Sequence, residues 1–148
     1  MQRENDIGFA VRRLSNAIKR DVEKNRADLG IVIPKGISGW VIRYLYDNAD
    51  RDVFQRDFEE NFSIRPSTAS RMLKAMEKKG FIERVSVEND ARLKKIVLTE
   101  RAIENHKLIL ADIKRREALL RRGISDSEIT VFFETMQKLT ANLEEQND

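Results

Sequence analysis

The sequence predicts a mainly α-helical protein with one small β-hairpin, and three observations support this fold class. Apolar residues recur at spacings of three and four over long stretches near both ends of the chain. Two runs rich in β-branched and aromatic residues, Phe81–Val87 and Lys95–Leu98, flank Glu88–Ala91, a segment with turn chemistry. Glycine and proline together number only eight of 148 residues, which leaves few positions for turns.

The first two helices are predicted from polar caps that precede apolar stripes. Asn5 and Asp6 can cap a long first helix, whose stripe extends over Ile7–Val22. After a looser stretch with two glycines and a proline, Ser38 is the predicted cap of a second helix. The residues expected to point inward from this helix are Trp40, Val41, Tyr44 and Leu45.

A short third helix leads directly into a fourth. Asp52 is the predicted cap of the third helix, in which Phe54 and Phe58 lie one turn apart. Ser63 and Pro66 mark the turn into the fourth helix. The short helix and the tight turn therefore precede the fourth helix without a long linker.

The fourth helix, which Gly80 is expected to end, has two different faces. At about 100° per residue, one stripe is apolar and is predicted to be core. It comprises Ala69, Met72, Leu73 and Met76. The opposite face carries hydroxyls and cations without an acid: Ser67, Ser70, Arg71, Lys74 and Lys78. An isolated face of this kind is usually only solvated, but it is also the set of side chains that a helix uses in a DNA major groove.

The C-terminal part of the chain is predicted to form two further helices. The first is long, approximately residues 100–122, and Gly123 breaks it. Ser125 and Glu128 have the spacing of a capping box at the start of the last helix. The apolar face of that helix comprises Ile129, Phe132, Phe133, Met136, Leu139 and Leu143.

The order of short helix, tight turn, helix and basic hairpin is that of a winged helix-turn-helix. The charge distribution agrees, because residues 65–101 contain ten basic and five acidic side chains, a net of +5 within a chain of net +3. Pro66 at the first helical position leaves backbone N–H groups available for a phosphate, and Arg65 beside it is suited to the same ligand.

Two segments resemble the MarR (multiple-antibiotic-resistance regulator) family of winged-helix transcription factors. One is PSTASRMLKAMEKKGFIERV, which is similar to the recognition helix and first wing strand of that family. The other is DARLKKIVLT, which matches the wing pattern of the family. Its matching positions are Asp90, Arg92, Ile96, Leu98 and Thr99. The sequence departs from the family at Ser63, where a turn glycine is usual.

The resemblance implies a single domain over residues 1–148, with a winged helix-turn-helix over 36–99 and dimerisation helices over 1–28 and 100–148. It implies a homodimeric repressor on a pseudo-palindromic operator in double-stranded DNA, with Arg92 in the minor groove and Asp90 orienting it. An ordinary surface turn with an exposed ion pair is the alternative for these two residues. The predicted DNA-binding residues are Arg65, Ser67, Thr68, Ser70, Arg71, Lys74, Lys78, Asp90, Arg92 and Lys94.

Family members often sense small, frequently anionic aromatic compounds in a crevice between the dimerisation and DNA-binding parts. By position, Arg12, Arg13, Trp40 and Tyr44 are the candidates for this site. Core packing is the alternative for the two aromatic residues. The resemblance thus implies a small aromatic or anionic effector.

Other classes of function are disfavoured by what the sequence contains. The only histidine, His106, is expected to be a partly exposed helix residue, so neither a catalytic centre nor a metal site is predicted. The chain has no cysteine and no phosphate-binding glycine-rich loop, and no cofactor is predicted. No apolar run reaches the length of a membrane span, which indicates a cytoplasmic protein. A winged-helix adaptor that binds protein is the remaining alternative, although the outer face of the fourth helix offers no apolar anchor.

Overall fold

The computed structural model describes residues 5–145 of the chain. Over these residues six helices and two strands follow one another: α1 (Ile7–Leu29), α2 (Ser38–Asp47), α3 (Gln55–Asn61), α4 (Pro66–Lys78), β1 (Ile82–Val87), β2 (Asp90–Leu98), α5 (Glu100–Arg121) and α6 (Asp126–Glu144). The predicted fold class, mainly helical with one hairpin in a winged helix-turn-helix order, is confirmed. Residues 1–4 and 146–148, at the outer ends of the predicted dimerisation segments, lie outside the described residues.

The chain divides into two compact units, the first ending at Ala111 and the second beginning at Asp112. The first unit has a hydrophobic core to which α2, α3, α4, the hairpin and the start of α5 all contribute. Its buried members are Val41, Ile42, Leu45, Val53, Phe58, Leu73, Met76, Phe81, Ile82, Ile96 and Ala102. In contrast, neither α1 in the first unit nor α6 in the second contains a buried residue within the described chain.

The start of α1 is as predicted, whereas the start of α2 is not. Asp6 caps α1 by accepting a hydrogen bond of 3.3 Å from the backbone N–H of Phe9. Ser38 is the first residue of α2 and its side chain caps nothing, because Ile37 occupies the cap position. The prediction of a Ser38 cap was therefore wrong by one position.

The inward face of α2 also differs from the prediction at one residue. Val41 and Leu45 are buried, as expected, and Tyr44 packs edge-on against Phe58 with ring centroids 5.5 Å apart. Trp40, however, is 64% exposed. The prediction that Trp40 points inward was wrong.

The cap of α3 comes from within the helix and not from Asp52. The side chain of Asp57 accepts a hydrogen bond of 2.7 Å from the backbone N–H of Phe54, the residue at the cap position. Asp52 instead forms an ion pair of 3.2 Å with Lys95 on β2. The predicted Asp52 cap was wrong because this carboxylate is engaged by a residue 43 positions away in the sequence.

The hairpin is longer than its apolar run predicted. Strands β1 and β2 pair antiparallel, with Ile82 opposite Leu98, and β2 begins at Asp90 instead of at Lys95. The turn uses Asn89 in the left-handed region at φ 74°, a conformation that asparagine tolerates better than most residues. The polar first half of β2 is thus part of the wing.

The start of α6 is as predicted. The backbone N–H of Ser125 donates to the Glu128 carboxylate at 2.8 Å, and the N–H of Glu128 donates back to the Ser125 hydroxyl at 3.2 Å. The bonds from Ser125, the backbone one first, hold the pKa of Glu128 below its usual value. Along the described part of the chain, every helix is too short or too polar to cross a membrane.

Candidate nucleic-acid interface

Helix α4 is fixed in the first unit by its apolar stripe. Ala69, Leu73 and Met76 are buried, and Met72 is half-buried, as the spacing predicted. The helix ends at Lys78, and Gly80, two residues later, has a φ of 78° and directs the chain into β1. This anchoring determines which side of α4 faces solvent.

The outer face of α4 is exposed and cationic. Arg71, Lys74 and Lys78 are exposed, as is Ser67, while Ser70 is half-buried. Within the described residues none of the three cations has an ion pair or a hydrogen bond. Their charges are therefore available for phosphates or base edges.

The N-terminus of α4 presents backbone donors without a side-chain cap. Arg65 occupies the cap position, but its side chain forms no capping hydrogen bond. Pro66 is the first helical residue, and Ser67 and Thr68 after it are exposed. Uncapped N–H groups at a helix start, together with an exposed guanidinium, are suited to a phosphate group.

The turn before α4 explains the departure from the family pattern at Ser63. This residue has a φ of 49°, in the left-handed region that glycine adopts without steric cost. On the other side of the turn, the side-chain amide of Gln55 in α3 donates to the carbonyl of Pro66 at 3.3 Å. The turn thus retains the geometry for which the family usually has glycine.

The wing carries two exposed cations near its tip. Arg92 and Lys94 are both exposed, and the Asp90 carboxylate accepts a hydrogen bond of 2.9 Å from the backbone N–H of Arg92. Asp90 therefore fixes the backbone that carries Arg92. Lys95 differs from them because its ammonium group is engaged by Asp52.

Two contacts that join the wing to α4 and α5 were not predicted from the sequence. Arg84 on β1 forms an ion pair of 3.4 Å with Glu77 on α4. The hydroxyl of Thr99 donates to the carbonyl of Gly80 at 2.7 Å and accepts from the N–H of Ala102 at 3.2 Å. Strand alternation does indicate the first contact. Arg84 lies two residues after buried Ile82, and therefore on the same face of β1.

Comparison with known proteins finds a family that this part of the chain resembles. A model of the MarR family matches residues 35–93, which extend from just before α2 into β2. Over these residues the chain is similar to the MarR family. No curated protein matches it in sequence.

Two solved structures resemble this chain over nearly its whole length. The heme sensor protein PefR from Streptococcus agalactiae, in complex with heme, has 25% identity and a TM-score of 0.72, covering 93% of this chain and 94% of PefR. The S. aureus MepR–DNA complex has 22% identity and a TM-score of 0.72, covering 92% of this chain and 98% of MepR. The resemblance to MepR extends to the fold alone.

The four residues predicted to line an effector crevice do not form one cluster in the structure. Tyr44 packs in the core and its hydroxyl accepts from Asn61 at 3.2 Å, whereas Trp40 is exposed. Arg13 lies over the ring of Phe9, 5.9 Å from its centroid. Among the described residues, no hydrogen bond or ring contact joins Arg12 or Arg13 to either aromatic residue.

His106 is buried, which contradicts the prediction of a partly exposed helix residue. Only 6% of it is accessible, its ring lies 4.7 Å from that of Tyr46, and none of the described residues forms a hydrogen bond with its Nε2 atom. Burial lowers the pKa of His106 below its ordinary value of 6.5, although Asp47 acts in the opposite direction. Burial therefore disfavours the charged imidazolium form of His106.

The burial of His106 predicts a dependence of stability on pH. Because the folded-state pKa is depressed, the unfolded chain binds more protons as the pH falls below 6.5, and the free energy of unfolding should decrease there. Urea titrations of the untagged protein between pH 8 and pH 5.5 measure this decrease. In His106→Gln, which removes the only histidine, the decrease should be smaller over that range. An identical pH profile for the two proteins would contradict the assignment.

Proposed function

We propose that this chain is a sequence-specific DNA-binding repressor that binds a pseudo-palindromic operator as a homodimer and is released by a small effector. One observation carries the proposal: the exposed cations of α4 lie opposite its buried stripe, on the helix that follows the helix-turn-helix turn. An α-helix fits the major groove, and arginine and lysine are the side chains that contact guanine and phosphates there.

The relatives support the same function. MepR has been solved in complex with DNA, and PefR is a heme sensor. From these relatives we carry over DNA binding together with a response to a small ligand. The similarity to MarR-family regulators supports the function of a regulator, and not of an enzyme.

A protein-binding adaptor is the less favoured reading of the same fold. Hot spots of protein interfaces are large aromatic, aliphatic or arginine anchors in apolar surroundings. Among the described residues, none of the exposed large apolar side chains belongs to α4. The face is therefore suited to an anionic partner.

Dimerisation is proposed from apolar side chains that remain exposed in the single chain. On α1 these include Ile7, Val11 and Leu14, and on α6 they include Phe132 and Phe133, each more than 40% exposed. Contiguous apolar faces of this kind usually mark interaction sites. A homodimer through these helices should bury more than about 2,000 Å² in total.

Arg71 is expected to read a base and Lys78 to hold a phosphate. Arg71 projects from the second turn of α4, and its planar guanidinium can bind guanine O6 and N7 together. Arg71→Ala should weaken binding to the operator by about 1–3 kcal/mol and relax the preference at one position in each half-site. The operator is obtained by selecting bound sequences from a random DNA pool, and affinities are then measured on operator and scrambled DNA.

Lys78→Ala is the matched control, because it removes a cation from the same exposed face near the end of the helix. It should weaken all sequences alike and flatten the salt dependence by roughly one unit per site, or two per symmetric dimer. An unchanged ratio of operator to scrambled affinity in Arg71→Ala would show that another residue reads the sequence. Failure of the wild-type chain to select any DNA would refute the proposed function.

A further inference from the structure

The linker between α1 and α2 is held against α5 by the side chain of Asn105. Its amide oxygen accepts a hydrogen bond of 2.8 Å from the backbone N–H of Val32, and its amide nitrogen donates one of 2.7 Å to the carbonyl of Val32. The two residues are 73 positions apart in the sequence. Asn105 thus satisfies both backbone polar groups of Val32, as a paired strand residue would. We refer to these two bonds as the Asn105 clamp.

The clamp requires the chemistry of a side-chain amide. A primary amide carries an acceptor and two donors in one planar group, whereas a carboxylate only accepts and an ammonium group only donates. Both bonds are short, because N–H···O contacts in proteins have a usual distance of about 2.9–3.0 Å. Asn105→Asp would keep the bond from the N–H of Val32 and would face the carbonyl without a donor.

The clamped residue follows closely on the end of α1. Gly30 caps this helix in the left-handed region at φ 66°, and the next residue, Ile31, is buried. Val32 comes one residue later and lies in neither a helix nor a strand. Over its length Ile7–Leu29, all of it described, α1 contains no buried residue. Apolar burial therefore does little to fix α1, and the contacts at its C-terminal end gain in importance.

Asn105 itself lies in the part of α5 that joins the winged-helix core. Ala102, about one turn earlier, is a buried member of that core, and its N–H donates to the hydroxyl of Thr99, the residue that follows the wing. Phe81, which precedes β1, lines the same small hollow as Val32 and Asn105. The clamp therefore ties the end of α1 to the frame that carries α4 and the wing.

The position of α1 matters because of the role proposed for this helix. In a homodimer built through α1 and the C-terminal helices, the angle between α1 and the winged helix-turn-helix contributes to the separation of the two α4 helices. Half-sites of a palindromic operator lie about 10–10.5 base pairs apart or a multiple of this. One additional base pair moves a half-site by about 3.4 Å and turns it by roughly 35°. A firm connection between α1 and the frame of α4 therefore favours one spacing over its neighbours.

We propose that Asn105 is a positioning residue that makes the dimer selective for one half-site spacing in its operator. It acts through Val32, by holding the end of α1 to α5, and this role needs no contact with DNA. The spacing part rests on the proposed function, whereas the clamp does not.

Amide hydrogen exchange, followed by NMR on the untagged full chain, tests the clamp. Asn105→Leu has a side chain of similar size with neither a donor nor an acceptor, so the N–H of Val32 should exchange about fivefold faster or more than in the wild-type chain. Asn105→Asp should retain most of the protection, because its carboxylate still accepts from this N–H. Equal exchange of Val32 in the wild-type chain and in Asn105→Leu would overturn the proposal.

The spacing preference is measured on the selected operator and on versions with one base pair inserted or removed at its centre. For the wild-type chain we expect affinity to fall at least about tenfold on each altered spacing. In Asn105→Leu the ratio between the original and the altered spacings should shrink to about threefold or less. Asn105→Asp, which keeps one of the two bonds, should give an intermediate ratio, and it decides the question if Asn105→Leu does not fold. A loss by the same factor on all three DNAs would mean that Asn105 only supports the fold, and would overturn the spacing part.

Lys107→Leu is the matched control. Lys107 is exposed on the same helix, two residues after Asn105, and is therefore turned to a different side of α5. It should leave both the exchange of Val32 and the ratio between spacings unchanged. A change in the ratio as large as that in Asn105→Leu would overturn the proposal. A wild-type chain that protects the N–H of Val32 but selects no DNA would refute the proposed function and leave the clamp standing.

Discussion

A chain carrying Phe133→Asp is expected to be a monomer in solution and to lose at least about a hundredfold in operator affinity. Phe133 is 52% exposed on α6, in the apolar face assigned to the dimer. A charge buried in an apolar interface without a partner is strongly destabilising. Without dimerisation the two half-sites are bound separately, and the effective-concentration advantage of about 10²–10⁴ is lost.

Light scattering and operator titration measure the two effects together. Ala141→Asp is the control, because Ala141 is also exposed on α6 but lies on the side away from the apolar face. It should remain dimeric with unchanged operator affinity. A wild-type chain that is monomeric at micromolar concentration would contradict the proposed dimer.

Phe58→Ala should reduce the free energy of unfolding by about 3–5 kcal/mol, the range for large aromatic residues in well-packed cores. Phe58 is fully buried, stacks parallel to Phe62 with centroids 6.1 Å apart, and meets the ring of Tyr44 edge-on. The substitution removes the side chain that packs α3 against α2. Urea unfolding followed by circular dichroism, at one fixed protein concentration, gives the loss.

Phe54→Ala is the comparison for this prediction, since Phe54 adjoins the same helix but is only half-buried. The decrease in the free energy of unfolding should be less than half as large for Phe54→Ala. Both the lost transfer free energy and the cost of the cavity increase with the burial of the side chain. Equal decreases in the two variants would mean that the packing of Phe58 against Tyr44 and Phe62 contributes no more to stability than the half-buried Phe54 does.

The sequence predicted best those features whose causes are local. The Asp6 cap, the Ser125–Glu128 capping box and the left-handed Gly80 depend only on residues within one or two helical turns, and all three occur. The buried stripe of α4 could be predicted equally well, because helical periodicity alone places Leu73 and Arg71 on different faces.

The features missed from the sequence depend on partners far away in the chain. The sequence predicts a helix cap at Asp52, but the Asp52 carboxylate forms an ion pair with Lys95, which is distant in the sequence. His106 was expected to be partly exposed, yet it is buried against Tyr46, a contact between α5 and α2 that no local pattern contains. The predicted DNA contacts and effector residues remain predictions.

One error could have been avoided from the sequence itself. The buried residues of α2 are Val41, Ile42 and Leu45, which define a stripe about 100° wide. Trp40 lies on the far side of the helix from this stripe. A stripe that includes Ile42 predicts Trp40 at the surface, whereas a stripe chosen by aromatic size predicts it in the core.

The separation of the two faces of α4 bears on how such regulators diversify. The side chains that hold the helix in place, such as Leu73, and those that face the proposed DNA, such as Arg71, are different residues. A duplicated gene can therefore change the residues on the exposed face of α4 one at a time without a loss of fold stability. New operator preferences can arise by drift at the surface, whereas the buried stripe stays under selection for folding.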